Sequence, residues 1–226
     1  MISIVIPAYN EAKYLGRTLS GLKQMDLETE IIVVDDCSED ETGEIARRSG
    51  ADLVIRMEKR SGKGDALKRG LLKAKGEILM FLDADLGECA GQAPKLLEPI
   101  LQNRADMTIA SFPVTHIRKG GFGFVVRLAQ WGIRKTTGLE MNSPISGQRA
   151  IRRTVIDKIG AIEKGFGVEV GLTIDAYRKG FRIMEVPTTM THRVTGRNLR
   201  DIFHRLRQFL DVARVLSKRW RLRANA

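Results

Sequence analysis

The sequence predicts an α/β fold with a mostly parallel central sheet flanked by helices. Three features predict it. Short apolar runs alternate with helical patterns through residues 1–111, the connections are short, and the run Ile78-Leu79-Met80-Phe81-Leu82 is continuous, as in a strand buried on both faces. In order, SIVIPA precedes the helical YLGRTLSGLKQM, IIVVDD precedes ETGEIARRSG, DLVIRM precedes GDALKRGLLKAKG, ILMFLD precedes APKLLEPILQN, and DMTIAS closes the series. The regular alternation stops at Phe112-Pro113. Beyond it the pattern predicts a helix around Phe124 to Lys135, a loop through Asn142 to Pro144 and a short strand near Ser146 to Ile151. A helix near Val168 to Lys179, the strand RIMEVP and a long basic helix from Asn198 towards Leu222 complete the series. No repeat or low-complexity linker divides the chain. Residues 1–196 therefore read as one domain, with a ligand-binding half (1–111) and a second half (112–196), followed by a helix over 197–226.

Lys plus Arg number 38 against 27 Asp plus Glu, a net charge of +11, which predicts attraction to something anionic: nucleic acid, a nucleotide or a lipid surface. Cys37 and Cys89 are the only cysteines, too few for a disulfide framework and lacking metal-ligand spacing, so a reducing cytosol is the expectation. MISIVIPAYNE is short and lacks a basic leader, which argues against a signal peptide, and no run approaches the ~20 apolar residues of a membrane-spanning helix.

Ligands of parallel α/β sheets bind beyond the carboxyl ends of the strands. There the sequence places Asp35 and Asp36 after IIVV, Asp83 and Asp85 after ILMFL, and Pro7, Tyr9, Asn10 and Glu11 after SIVI. Carboxylates crowded at one edge repel one another unless a cation or a hydrogen-bonding ligand compensates. Asp83 and Asp85 suit Mg²⁺ or Mn²⁺ completed by water and substrate phosphates; the alternative is that Asp83 marks a strand end and Asp85 caps the next helix.

VIPAYNE (5–11), VVDDCSED (33–40), RSGKGDALKRGLLKAKGEILMFLDADL (60–86), SGQRA (146–150) and EVP followed by HRVTG (185–196) together resemble the family 2 glycosyltransferases. Within them the chain is most similar to the dolichyl-phosphate mannose synthase and polyprenyl-phosphate glycosyltransferase group. The resemblance implies a GT-A fold and metal-dependent, inverting transfer of a sugar from a UDP- or GDP-sugar, with Mg²⁺ or Mn²⁺ as cofactor. It implies that Pro7, Ala8, Tyr9 and Glu11 hold the nucleoside, that Val34 and Asp36 lie around the base, and that Asp83 and Ala84 meet the ribose and diphosphate. Asp85 takes the place of the metal ligand, with Asp83 beside it, and Arg193 that of the arginine reaching the donor diphosphate. Lys63, between Gly62 and Gly64, either contacts the nucleotide or caps the helix of Asp65. Cys37 stands where the family usually has a small residue and reads as packing.

Three departures bear on substrate. Gly87 follows Leu86 where DADLQ would supply another metal ligand, Phe112 replaces an arginine, and SPISGQR replaces DPxSGFR, with Ser143 in place of an aspartate.

Transfer to a hydroxyl needs a general base, whereas transfer to a phosphate does not. Glu169 is either that base or a first-turn acid favoured by the helix dipole, with Asp175 a second candidate. Arginines cluster in this half: Arg118, Arg127, Arg134, Arg149, Arg193 and Arg197. Their planar forks suit a phosphate, so Arg127, Arg149 and Arg197 are expected to hold a phosphorylated acceptor, with a polyprenyl phosphate as the expected partner.

In the last helix, Leu199, Ile202, Phe203, Leu206, Phe209, Leu210, Ala213, Leu216 and Trp220 follow helical spacing among many arginines. Ile202, Leu206, Phe209 and Ala213 are expected to pack on the domain, and the later turns through Trp220 and Arg223 to touch anionic lipid or a partner subunit, a homodimer included. The expected place is the cytoplasm, peripheral on the cytosolic membrane face, in envelope-glycan synthesis. Two alternatives stand beside this: a transferase acting on a soluble hydroxyl acceptor with Glu169 as base, and a basic nucleic-acid-binding protein. Against the second, there is no aromatic RNA-binding pattern, zinc spacing or helix-turn-helix, so no specific nucleic acid is expected.

Overall fold

The computed structural model describes residues 1–25, 27–112, 123–190 and 199–224; within the last helix, side chains are described from 206 to 220. Among these residues the elements run β1 (Ile2–Ala8), α1 (Ala12–Leu22), β2 (Thr29–Asp35), α2 (Thr42–Arg48), β3 (Leu53–Arg56), α3 (Lys63–Leu71), β4 (Ile78–Phe81), α4 (Pro94–Leu101) and β5 (Met107–Ser111). There follow α5 (Gly123–Thr137), β6 (Arg149–Arg152), α6 (Arg153–Ile159), α7 (Val168–Arg178), β7 (Ile183–Pro187) and α8 (Leu199–Ala224).

The strands form one sheet in the order β3-β2-β1-β4-β6-β5-β7. Strands β3, β2, β1 and β4 pair in parallel, as do β5 and β7. Strand β6 lies antiparallel between β4 and β5. The mostly parallel sheet is therefore as expected, and the antiparallel insertion and helix α6 are additions that the sequence pattern does not reveal.

Side-chain alternation sorts the apolar residues into two cores. Val5, Leu79, Phe81, Ile109 and Ile151 face one side, where α3, α5, α6, α7 and α8 pack. Ile4, Ile6, Met80, Ala110 and Ala150 face the other, where Leu15, Leu19 and Leu22 of α1 and Leu96 and Leu97 of α4 cover them. All four residues of β4 are buried, which explains its unbroken apolar run. Each such Ile, Leu, Val or Phe contributes about 1.5–3 kcal/mol through burial.

Helix α8 docks by a face other than the expected one. Leu206 and Phe209 are exposed, whereas Val212, Val215, Leu216 and Arg219 are buried. Ile202 lies outside the described side chains. Two devices select this face. Gly132 of α5 leaves no room for a Cβ beside the Leu216 side chain, so the two helices approach closely. Arg219 donates to Asp175 and to Glu163 Oε1 (2.9 Å), so its charge enters the interface compensated. Burial alone would lower the Arg219 pKa, but the two carboxylates outweigh it and raise it. No described helix is long and apolar enough to cross a membrane.

Candidate active site

Ala8, Asp35 and Asp83 follow or end the parallel strands β1, β2 and β4, and so reach one edge of the sheet. Because β6 is antiparallel, its start meets that same edge: Arg149 is in register with Phe81 and with Ile109. The segment Ser146-Gly147-Gln148 is thereby delivered beside Asp83. Gln148 O accepts the Ala110 amide at 2.9 Å, tying this segment to β5.

Asp83 is held from both sides. Lys63 Nζ lies 2.7 Å from Oδ1, and Gln148 Nε2 donates to Oδ2 at 2.6 Å. Lys63 Nζ also lies 2.9 Å from Glu169 Oε1. Burial alone would lower the Lys63 pKa; the Asp83 and Glu169 carboxylates overcome this and raise it above the ordinary lysine range. Lys63 is thus a fixed cation between two acids, beyond its place in the first turn of α3. Asp85 stands two residues on, partly exposed.

Residues ahead of α1 and α2 fix the neighbouring loops. Asp36 is 4% exposed and its two oxygens each accept a backbone amide at 2.7 Å, from Ser61 and Gly62. Asp35 is fully buried and accepts from Ser38 N and Arg56 Nη1. Arg60 lies over the Tyr9 ring, 3.8 Å from its centroid, a cation–π contact. Pro7, Tyr9 and Glu11 are partly exposed at the end of β1, and the Glu11 amide donates to Thr42 Oγ1 at 2.8 Å.

The structure gives the other expected site residues their surroundings. Asp36, expected around the base, has each of its oxygens accepting one backbone amide of the loop that leads into α3. Val34, Ala8 and Ala84 point their side chains into the cores, so any contact they make with a ligand falls to the backbone. Arg149 is fully buried, donating to the carbonyls of Ser146 and Pro144 and to Thr173 Oγ1, so it organises the loop before β6 and is not exposed to bind an acceptor. Burial pushes its pKa down to about 10, with Glu169 and Glu185 opposing. Glu169 is 6% exposed in the first turn of α7, with Oε1 engaged by Lys63. Asp175 lies with Arg219 in the α8 interface, not with Asp83. Arg127 is on an exposed face of α5. Arg118, Arg193 and Arg197 lie outside the described residues.

The departures acquire physical reasons. Gly87 has φ 57° and Cys37 φ 62°, left-handed positions that favour glycine, which explains the small residue usual at 37. Ser143 Oγ accepts the Phe112 amide, and Glu185 accepts the amides of Asn142 and Ser143. Gln148 is the site residue that motif reading passes over; its only signal is a polar residue where SGFR has phenylalanine.

Among the described residues no three His, Cys, Asp or Glu side chains converge as a metal-binding group. The donors at hand are carboxylate oxygens alone, which fits Mg²⁺ or Mn²⁺ completed by phosphates and water and does not fit a self-sufficient zinc cage.

Residues 3–160 match the glycosyl transferase family 2 model. The chain belongs to glycosyltransferase family 2. Among relatives of this family 2 glycosyltransferase, the undecaprenyl-phosphate mannosyltransferase of Micrococcus luteus is 32% identical over 85% of this chain and 84% of that protein. The dolichol-phosphate mannosyltransferase of Pyrococcus furiosus is 31% identical, over 86% of this chain and 58% of that protein. A solved structure of glucosyl-3-phosphoglycerate synthase from Mycobacterium tuberculosis, in complex with Mg²⁺ and uridine diphosphate, matches with a TM-score of 0.79 at 27% identity, over 97% of this chain and 79% of that one. The family 2 transferase thus shares the GT-A architecture.

Proposed function

We propose that this glycosyltransferase moves a sugar, with inversion, from a UDP- or GDP-sugar to an acceptor that carries a phosphate, a polyprenyl phosphate by preference. The observation that carries the reading is the fixed group Lys63, Asp83 and Gln148 at the strand edge, with Asp85 two residues beyond. Asp83 faces the donor's ribose and diphosphate, and Lys63 supplies a positive charge beside it. Asp85 would hold the divalent cation, which when bound stabilises the charge on the departing diphosphate. An acceptor phosphate oxygen attacks the anomeric carbon as the bond to the diphosphate oxygen breaks. That oxygen is already anionic, so no base is needed, in keeping with Glu169 being engaged by Lys63.

A peripheral place on the cytosolic membrane face is supported by the outer surfaces of α5 and α8. Phe124 is 78% exposed, and Trp131 and Trp220, about half exposed, stack with centroids 5.7 Å apart, with Arg127, Arg134, Arg214 and Lys218 nearby in sequence and exposed. A small soluble phosphorylated acceptor that reacts through a hydroxyl, with Glu169 as the base, is the second reading, favoured by the match along 97% of the chain to glucosyl-3-phosphoglycerate synthase.

Calorimetric titration with UDP and GDP, with and without Mn²⁺, tests the donor. The expected result is Mn²⁺-dependent binding that Asp85→Ala removes. Nucleotide binding that ignores both the metal and Asp85→Ala would remove Asp85 from the metal site. Transfer assays with a polyprenyl phosphate and with 3-phosphoglycerate then separate the two acceptor readings.

A further inference from the structure

Gln148 is 1% exposed, yet its side chain makes polar contacts at both ends. Nε2 donates to Asp83 Oδ2 at 2.6 Å, and Oε1 accepts from Ser146 Oγ at 3.1 Å. The reverse amide orientation would set its oxygen against the Asp83 carboxylate, two acceptors face to face, so the chemistry fixes which end is the donor. Gly147 completes the fit: a Cβ there would meet Lys63 Nζ and come within 2.7 and 2.8 Å of the Asp83 oxygens. The backbone of this segment is tied to β5 through Gln148 O.

We propose that Gln148 is a positioning residue for the donor site, acting through Asp83. Lys63 divides its ammonium between Asp83 and Glu169, so Lys63 alone does not fix the Asp83 carboxylate plane. Gln148 holds the second oxygen independently. When an anionic diphosphate competes for Lys63, the Gln148 donor still holds Asp83 in place. The assignment rests on the proposed nucleoside-diphosphate donor.

The test is a double-mutant cycle on UDP affinity in the presence of Mn²⁺, using Gln148→Leu, Asp83→Ala and the pair, with melting temperature followed in parallel. Gln148→Leu is expected to weaken UDP binding about 10- to 100-fold, the range for losing a hydrogen bond to a charged group. The KM for a hydrolysable UDP-sugar should rise in step while kcat stays within about threefold, as for lost uniform binding. In the Asp83→Ala background the same change should cost less than about threefold, because the partner is gone. Gln148→Glu keeps the volume and the Ser146 contact but opposes two carboxylates, so it should weaken binding more than leucine does; it carries the test if the leucine variant does not fold. UDP affinity within twofold of the parent in both variants, or an equal loss with and without Asp83, would overturn the assignment. A parent chain that binds neither UDP nor GDP would instead overturn the functional reading, and this assignment with it.

Discussion

At the scale of single residues, the proposed donor site is organised around a carboxylate whose surroundings leave little freedom. Lys63 and Gln148 each occupy one Asp83 oxygen, and Gly147 supplies backbone where any side chain would intrude. Gly147→Ala should therefore part the Lys63–Asp83 pair. Overpacking of this kind costs about 1–3 kcal/mol. Because the colliding atoms belong to the site, roughly 10-fold weaker UDP binding should accompany a melting temperature lowered by a few degrees. Unchanged affinity in that variant would show that the pair can shift without consequence. Asp83 and Asp85 are legible in the sequence because a strand that ends on acids is a local pattern. Gln148 is not, because its role depends on a partner 65 residues away. Arg149 misleads for a related reason: a guanidinium suits a phosphate and a cage of carbonyls equally well, and only burial tells them apart.

At the scale of elements, α8 is held to the domain by a charged centre in an apolar seam. Arg219 is 4% exposed and serves both Asp175 and Glu163, while Asp211 accepts the Phe166 amide. Arg219→Met leaves both acids without that partner. The expected cost is about 2 kcal/mol, below the full penalty of a broken buried pair because both acids keep some solvent. A shifted urea midpoint with an unchanged slope would report it. Burial works to raise the Glu163 pKa, but Lys218 and Arg219 outweigh this and hold it below its usual 4.5. A carboxyl lowered on folding stabilises the fold above its unfolded pKa, and the contribution is lost as pH falls through the folded value. Stability should therefore fall on acidification below about pH 4.5, and less steeply in Arg219→Met. Helical spacing alone locates an apolar stripe on α8. It does not choose between Leu206 with Phe209 and Val212 with Val215, since both pairs lie at helical intervals.

At the scale of the whole molecule, a net charge of +11 accompanies exposed aromatic and apolar residues on two helices joined by the Trp131–Trp220 stack. Arg207, Arg214 and Lys218 are exposed on α8 beside the exposed Leu206 and Leu210. Such a surface should bind vesicles containing anionic lipid at low ionic strength and release them as salt rises. Trp131→Ser with Trp220→Ser should reduce cosedimentation several-fold while UDP binding is retained; no vesicle binding at low salt would remove the peripheral location. The sequence by itself determined the α/β class, the strands up to Ser111, the acids at their ends and the family, because periodicity, strand length and motif order are properties of neighbouring residues. The tertiary structure alone decided that β6 enters antiparallel and brings Gln148 to Asp83, that Lys63 bridges Asp83 and Glu169, and that α8 docks through Arg219. Each of these depends on strand order and on which distant groups compensate a buried charge, and such pairings leave no periodic trace along the chain.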